Sequence, residues 1–147
     1  MSARAGTFLG FDYGRRFIGI AVGGTASRRA EALTTALVRN GEPDWAAIGR
    51  LVEQWQPQAF VVGLPLNMDD SESDMTREAK RFGNRLRGRY NLPVHWVDER
   101  LTSVAAHEAL AEAGVPGRRR KAQLDRLAAQ TILQAFLDEL TVPKPGP

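Results

Sequence analysis

Residues Thr7 to Gly23, TFLGFDYGRRFIGIAVG, carry two short apolar runs, Phe8 to Phe11 and Phe17 to Val22, each too short for a helix and separated by a turn signal. The pattern predicts a hairpin of two buried strands. Gly14 supplies the freedom a tight turn needs, and Arg15 and Arg16 place charge where the chain faces water. Asp12 stands out. Period-two counting puts it at the end of the first strand, on the same face as Phe8 and Gly10. A bare carboxylate at the edge of a buried sheet costs several kcal/mol, so Asp12 needs either hydrogen bonds from its own turn or a cation. The stretch alone leaves both open.

The rest of the chain narrows the choice. At 147 residues it is long enough for one domain with a proper core and too short for two ordinary ones, so one domain is expected over 1–147, with 138–147 a frayed tail. With 43% hydrophobic and 25% charged residues the composition is that of a soluble globular protein. No run approaches the roughly 18 apolar residues of a membrane span, and the N-terminal MSARAGTFLG lacks a signal peptide's apolar core, so a cytoplasmic location is expected. There is no cysteine and only His95 and His107 could offer imidazole, so a metal would be held by oxygen. The net charge is only +3, but seventeen of the twenty basic residues are arginine, and they cluster.

Glu31 to Arg39 reads as a third strand ending at Asn40-Gly41, and Gly41 and Pro43 then punctuate a loop. Asp44 can cap a helix on which Ile48, Leu51, Val52 and Trp55 recur until Gln56-Pro57 stops it. Ala59 to Leu64, AFVVGL, is a continuous apolar run, as expected of a strand covered on both faces. The acidic loop PLNMDDSESD leads into a helix with Met75, Ala79, Phe82 and Leu86 on one stripe and Arg77, Arg81 and Arg85 on another. Such a charged stripe is most simply the solvated side of the helix. Val94 to Val97 forms a short strand that ends in Asp98-Glu99-Arg100, and Thr102 or Ser103 can cap a helix through about Ala113. Arg118-Arg119-Arg120-Lys121 precedes a last helix bearing Leu124, Leu127, Ala128, Ile132 and Ala135. A hairpin meander followed by strand–helix alternation predicts an α/β fold: a five-stranded mixed sheet with helices on both faces.

At 100° per residue Asp125 falls on the edge of the last helix's apolar arc, where a leucine would pack. By itself it is a helix-start aspartate. Together with Asp12 and the Asp98-Glu99 pair, both at ends of core strands, it can form a set of acids at one sheet edge. Like charges so placed repel unless a cation sits between them, and Mg²⁺ or Mn²⁺ is the hard ion that carboxylates hold. Such ions serve phosphodiester hydrolysis. Arg15, Arg16, Arg100, Arg118, Arg119, Arg120 and Lys121 would then hold a nucleic-acid backbone over the site.

The runs FLGFDYGRRFIGIAVG, VVGLPLNMDD, VDERLTS and LDRLAAQTILQAFLD resemble the four successive signatures of the YqgF/RuvX family, described as Holliday junction resolvases and pre-16S rRNA nucleases, over Phe8 to Asp138. The resemblance implies a ribonuclease H-like fold and a catalytic, metal-holding triad of Asp12, Glu99 and Asp125. Preferring Glu99 to Asp98 rests on the family, because periodicity does not choose between them. Two positions depart from the family pattern. Asp70 stands where members usually have Gly, which either stiffens that loop or offers an extra acid. Gly23-Gly24 replaces a common Ser-Asp.

The expected activity is metal-dependent endonucleolytic cleavage of structured RNA, with ribosomal RNA precursor as the favoured substrate. Four-way DNA junctions are the runner-up, and these would require a homodimer rather than a monomer. Two other classes stand beside it: a non-catalytic RNA-binding assembly factor, which would bind equally well after Asp12→Asn, and an actin-like ATPase reading of Asp-Tyr-Gly. The latter needs two related halves where this chain offers one.

Overall fold

The computed structural model describes residues 6–99 and 117–141, the latter with side chains from 126 to 140. The elements run β1 (Thr7–Asp12), β2 (Phe17–Gly24), β3 (Ala30–Arg39), β4 (Glu42–Pro43), α1 (Trp45–Trp55), β5 (Ala59–Leu64), α2 (Asp74–Tyr90), β6 (Val94–Asp98) and α3 (Gly117–Thr141). One mixed sheet has the order β4-β3-β2-β1-β5-β6. Strands β1 to β4 pair antiparallel in succession, while β5 joins β1 and β6 joins β5 in parallel.

Central β1 is covered on both faces, and its alternation sorts the core into two layers. Leu9 and Phe11 pack with Phe60, Val62, Ile48 of α1 and Phe82 and Leu86 of α2. Phe8 packs on the opposite face with Ala59, Val61 and Ala129, Ile132, Leu133 and Leu137 of α3. The helices on the first face start where their sequences direct. Asp44 accepts a hydrogen bond from the Ala47 amide at the head of α1, and Ser73 and Thr76 form a reciprocal capping box on α2. Each ends on a left-handed residue, Gln56 and Asn91.

The sheet has six strands where five were expected. Asn40 (φ 52°) and Gly41 (φ 76°) form a two-residue hairpin loop, so Glu42 and Pro43 return alongside Arg39 and Val38. Asn-Gly is the strongest short hairpin signal, and Pro43 is tolerated because β4 is an edge strand. A second difference concerns the last helix, which begins at Gly117. The basic cluster is therefore helical rather than a preceding loop. Asp125 lies more than two turns from the helix start, beyond the range of the helix dipole. The helix expected over 102–113 lies outside the described residues, as does 142–147; the tail expected to fray from 138 instead starts as the last turn of α3, which runs on to Thr141.

Helix α3 lies unusually close to the sheet. A Cβ added to Gly10 would stand 2.8 Å from Leu133 Cβ and 3.3 Å from the carbonyl oxygen of Ala129. Only glycine lets the helix backbone approach β1 so closely.

Candidate active site

Asp12 is the last residue of β1, on the face covered by α3, two positions beyond Gly10. The parallel register pairs Phe11 with Val62, which sets Gly63 of β5 beside Asp12. On the next strand Leu64 pairs with Asp98, and the Glu99 amide then donates to the Leu64 carbonyl at 3.1 Å, turning the chain over the sheet edge. The Glu99 side chain lies directly above Gly63. A Cβ there would meet Glu99 Cγ at 2.6 Å, Glu99 Cδ at 2.8 Å and Ile132 Cδ1 at 2.5 Å.

This turn sets the two adjacent acids in different surroundings. Glu99 is buried, at 7% exposure, while Asp98 is exposed. The Glu99 carboxyl shares a side-chain hydrogen bond with Asp12. Burial, followed by that hydrogen bond and the charge of Glu99, holds the Asp12 carboxyl well above the ordinary carboxylate range. Two carboxyl groups drawn from positions 87 residues apart, Glu99 buried and Asp12 half-buried, form an all-oxygen donor set whose repulsion a hard divalent cation would relieve.

Asp125 is placed by its backbone. Helix α3 runs antiparallel to β1: Phe136 packs edge-on against Phe8 at 5.1 Å between ring centroids, and Ala129 and Leu133 lie over Gly10. One turn before Ala129, about 6 Å along the axis, comes Asp125. Two residues past Gly10, about 7 Å along the strand, comes Asp12. The two backbones therefore reach the same level at the same sheet edge. The Asp125 side chain lies outside the described residues, and among the described residues no group of three or more His, Cys, Asp or Glu forms a metal cluster.

Of the basic residues expected around the acids, Arg15 reaches instead across the sheet edge to Glu78 of α2, with Nη2 at 2.7 Å and Nε at 3.2 Å from its carboxylate. Arg16 is exposed, and its carbonyl accepts from the Val38 amide. Arg100 lies outside the described residues, as do the side chains of Arg118, Arg119, Arg120 and Lys121. The two departures from the family pattern have backbone explanations. Asp70 takes a left-handed turn position, φ 70°, which glycine fills without strain. A Cβ at Gly23 would meet the Arg29 carbonyl oxygen at 2.7 Å, and one at Gly24 would meet the Gly6 carbonyl oxygen at 2.8 Å.

Gly63 is the site residue that sequence reading missed. The signal was present as a glycine inside an otherwise apolar strand, a mark of close approach by another part of the chain.

Comparison with known proteins agrees with this architecture. Residues 6–139 match the family model described as RuvX, Holliday junction resolvase. A Burkholderia vietnamiensis protein named "Putative pre-16S rRNA nuclease" is 51% identical over 140 residues, spanning 95% of this chain and 94% of its own. A Burkholderia multivorans protein of the same name is 49% identical over 144 residues, 98% of this chain and 97% of its own. Among solved structures, Thermus thermophilus RuvC in complex with a Holliday junction substrate superposes with a TM-score of 0.51 at 18% identity, covering 92% of this chain and 96% of that one. Fowlpox virus resolvase bound to junction DNA gives a TM-score of 0.53 at 12% identity, covering 92% and 99%. At these identities the likeness is one of fold, the ribonuclease H-like fold that the four signatures imply.

Proposed function

Since this chain belongs to the RuvX family, we propose that it is a metal-dependent endonuclease that hydrolyses phosphodiester bonds in structured nucleic acid, its task being to process the pre-16S rRNA end. The observation that carries the reading is the meeting of Asp12 and Glu99 over Gly63. A protein does not ordinarily hold a half-buried carboxyl group against a buried one, because each disfavours ionisation of the other. The arrangement has a use when a cation completes it.

Asp12, Glu99 and Asp125 would hold Mg²⁺ or Mn²⁺, which when bound activates water and stabilises the leaving oxygen of an in-line displacement. The chain's own residues set the stage for that chemistry. β1 and β5 fix Asp12 and Gly63 in register, Ile132 closes the apolar wall behind Glu99, and α3, passing close over Gly10, would supply Asp125. Arg15, Arg16, Arg100 and the cluster Arg118 to Lys121 would attract the phosphate backbone, giving binding that weakens with salt and depends little on sequence.

RNA precursor is preferred because relatives that match nearly the whole chain carry that name. Cleavage of four-way DNA is the second reading, favoured by the family description. It would require two copies acting together. No helix among the described residues is long and apolar enough to cross a membrane.

Purified protein with Mg²⁺ or Mn²⁺ should cut a ribosomal RNA precursor fragment, tested beside a four-way DNA junction. Chelation should stop the reaction, and Asp12→Asn or Asp125→Asn should abolish cleavage while leaving binding. Undiminished cutting by the Asp12→Asn, Glu99→Gln, Asp125→Asn triple variant would end the proposal.

A further inference from the structure

On the side of the sheet away from the acid pair, α2 and the Asn40-Gly41 hairpin enclose a cleft of about 330 Å³. Tyr13, Arg81, Phe82 and Arg85 line it. The cleft opens at the active edge, because Tyr13 directly follows Asp12 and strand alternation sends the two side chains to opposite faces.

Its basic residues are arranged as more than a solvated stripe. Arg77, Arg81, Arg85 and Arg89 recur every four residues and so form one row along α2, about 18 Å from end to end. The far end of the row is held in place. Trp45 stacks on Phe82 at 5.8 Å, and Arg85 and Arg89 lie over the Trp45 ring at 5.1 and 4.1 Å from its centroid. Planar guanidinium groups fixed on an aromatic rack lose little freedom when they bind phosphate. Carboxylates already occupy much of this charge: Arg77 bonds Asp74, Arg85 bonds Glu42, and Arg15 bonds Glu78, which itself lines the cleft. Between them Arg81 forms no salt bridge among the described residues.

We propose that this cleft is a track for one nucleic-acid strand, leading a single-stranded segment of the substrate over the sheet edge, away from the acid pair and along Arg81 toward the Trp45 rack. The proposal rests on the nuclease reading for its substrate. A cavity of this size takes a nucleotide-sized unit and not a double helix. Phosphates meet the arginine row while Tyr13 offers a ring to a base, the pairing of charge and aromatic surface by which single strands are held without regard to sequence. Glu78 then acts as a stand-in for phosphate, releasing Arg15 when a strand arrives.

The test uses the full chain carrying Asp12→Asn, so that RNA remains intact, and two labelled hairpin RNAs that differ only in a single-stranded extension. Fluorescence anisotropy is read across a salt series, with circular dichroism melts to confirm that each variant is folded. The extension should tighten binding. Adding Arg81→Ala should erase that gain and lower the slope of log affinity against log salt by about 0.7, the share of one phosphate contact on a single strand. Adding Glu78→Gln should tighten binding of the extended RNA, an effect that a merely solvated helix face would not produce. Unchanged affinity and slope in the Arg81→Ala chain would overturn the track. If the chain with Asp12 intact cleaves RNA while the track fails this test, only the track is lost. If Arg81 proves to hold the extension while no cleavage occurs with either metal, only the nuclease reading is lost.

Discussion

Replacing Gly63 with alanine tests whether the acid pair is held by geometry or merely lies nearby. The added methyl would stand 2.5 Å from Ile132 Cδ1 and 2.6 Å from Glu99 Cγ, both closer than carbon atoms approach. Neither neighbour has open space to move into, since Ile132 is fully buried and Glu99 nearly so. Overpacking of this kind costs about 1–3 kcal/mol. For a chain of this length each kcal/mol lowers Tm by about 2–4 °C, so Gly63→Ala should melt about 2–12 °C below the parent. A typical reserve of about 5–15 kcal/mol leaves the variant folded at 25 °C. Cleavage at 25 °C should nonetheless fall about 100-fold, because the Glu99 carboxyl is pushed from Asp12 by a distance on the order of 1 Å. Gly88→Ala is the control. Nothing lies within 4 Å of its Cβ position on α2, and a helical Gly→Ala change should add about 0.5–1 kcal/mol of stability. Melting curves and initial rates on one RNA substrate decide the matter. A folded Gly63→Ala protein cleaving at the parental rate would refute the idea that this glycine seats the catalytic pair.

Two further perturbations follow from the site and its surroundings. Because Asp12 is held above the ordinary carboxylate range, the native metal-free protein keeps a proton that the unfolded chain releases, so stability falls as pH rises from about 4 toward the raised value. Urea midpoints across that range should fall less steeply for Asp12→Asn. Glu42 and Glu78, held low by Arg85 and Arg15, act in the opposite sense in both proteins and cancel in the comparison; parallel curves would count against the Asp12–Glu99 contact. Asp70→Gly should raise Tm by about 2–4 °C through relief of about 1 kcal/mol of left-handed backbone strain, with cleavage intact. A stabilised variant that no longer cleaves would instead place Asp70 among the catalytic acids.

Much of the fold was legible because its signals are local. The hairpin of residues 7–24, the helices α1 and α2 and the apolar run at Ala59 to Leu64 each follow from periodicity and punctuation within a dozen residues. The same counting correctly put Asp12 with Phe8 and Gly10 on one face, since Phe8 packs on α3 while Leu9 and Phe11 pack on the other side. What escaped was of two kinds. The sixth strand escaped because Gly41 and Pro43 together read as loop punctuation after Asn40-Gly41, although an edge strand tolerates a proline. The inward turn of Glu99 rather than Asp98 depends on how the chain crosses the end of β5 after its last ladder contact. That is a property of two strands together, which neither carries in its own sequence.

The closeness of α3 to the sheet has a structural cause in two strand glycines. A helix packed over ordinary strand side chains would ride higher, with its backbone held off the sheet. Here two strand positions lack side chains where α3 passes. Gly10 admits the helix backbone, and Gly63 admits Ile132 together with the Glu99 carboxyl. Both glycines weaken their strands by removing side chains that would fill the core. The lost packing is partly recovered by the fully buried Ile132, Leu133 and Leu137, which the lowered helix brings onto Phe8 and Val61. Since Gly10 lies two residues before Asp12 and Gly63 lies beside it, the helix is drawn down where the acids stand. The concession in packing and the placement of the carboxyl groups are therefore one feature of the fold. Restoring either side chain should disturb the acid pair before it unfolds the protein.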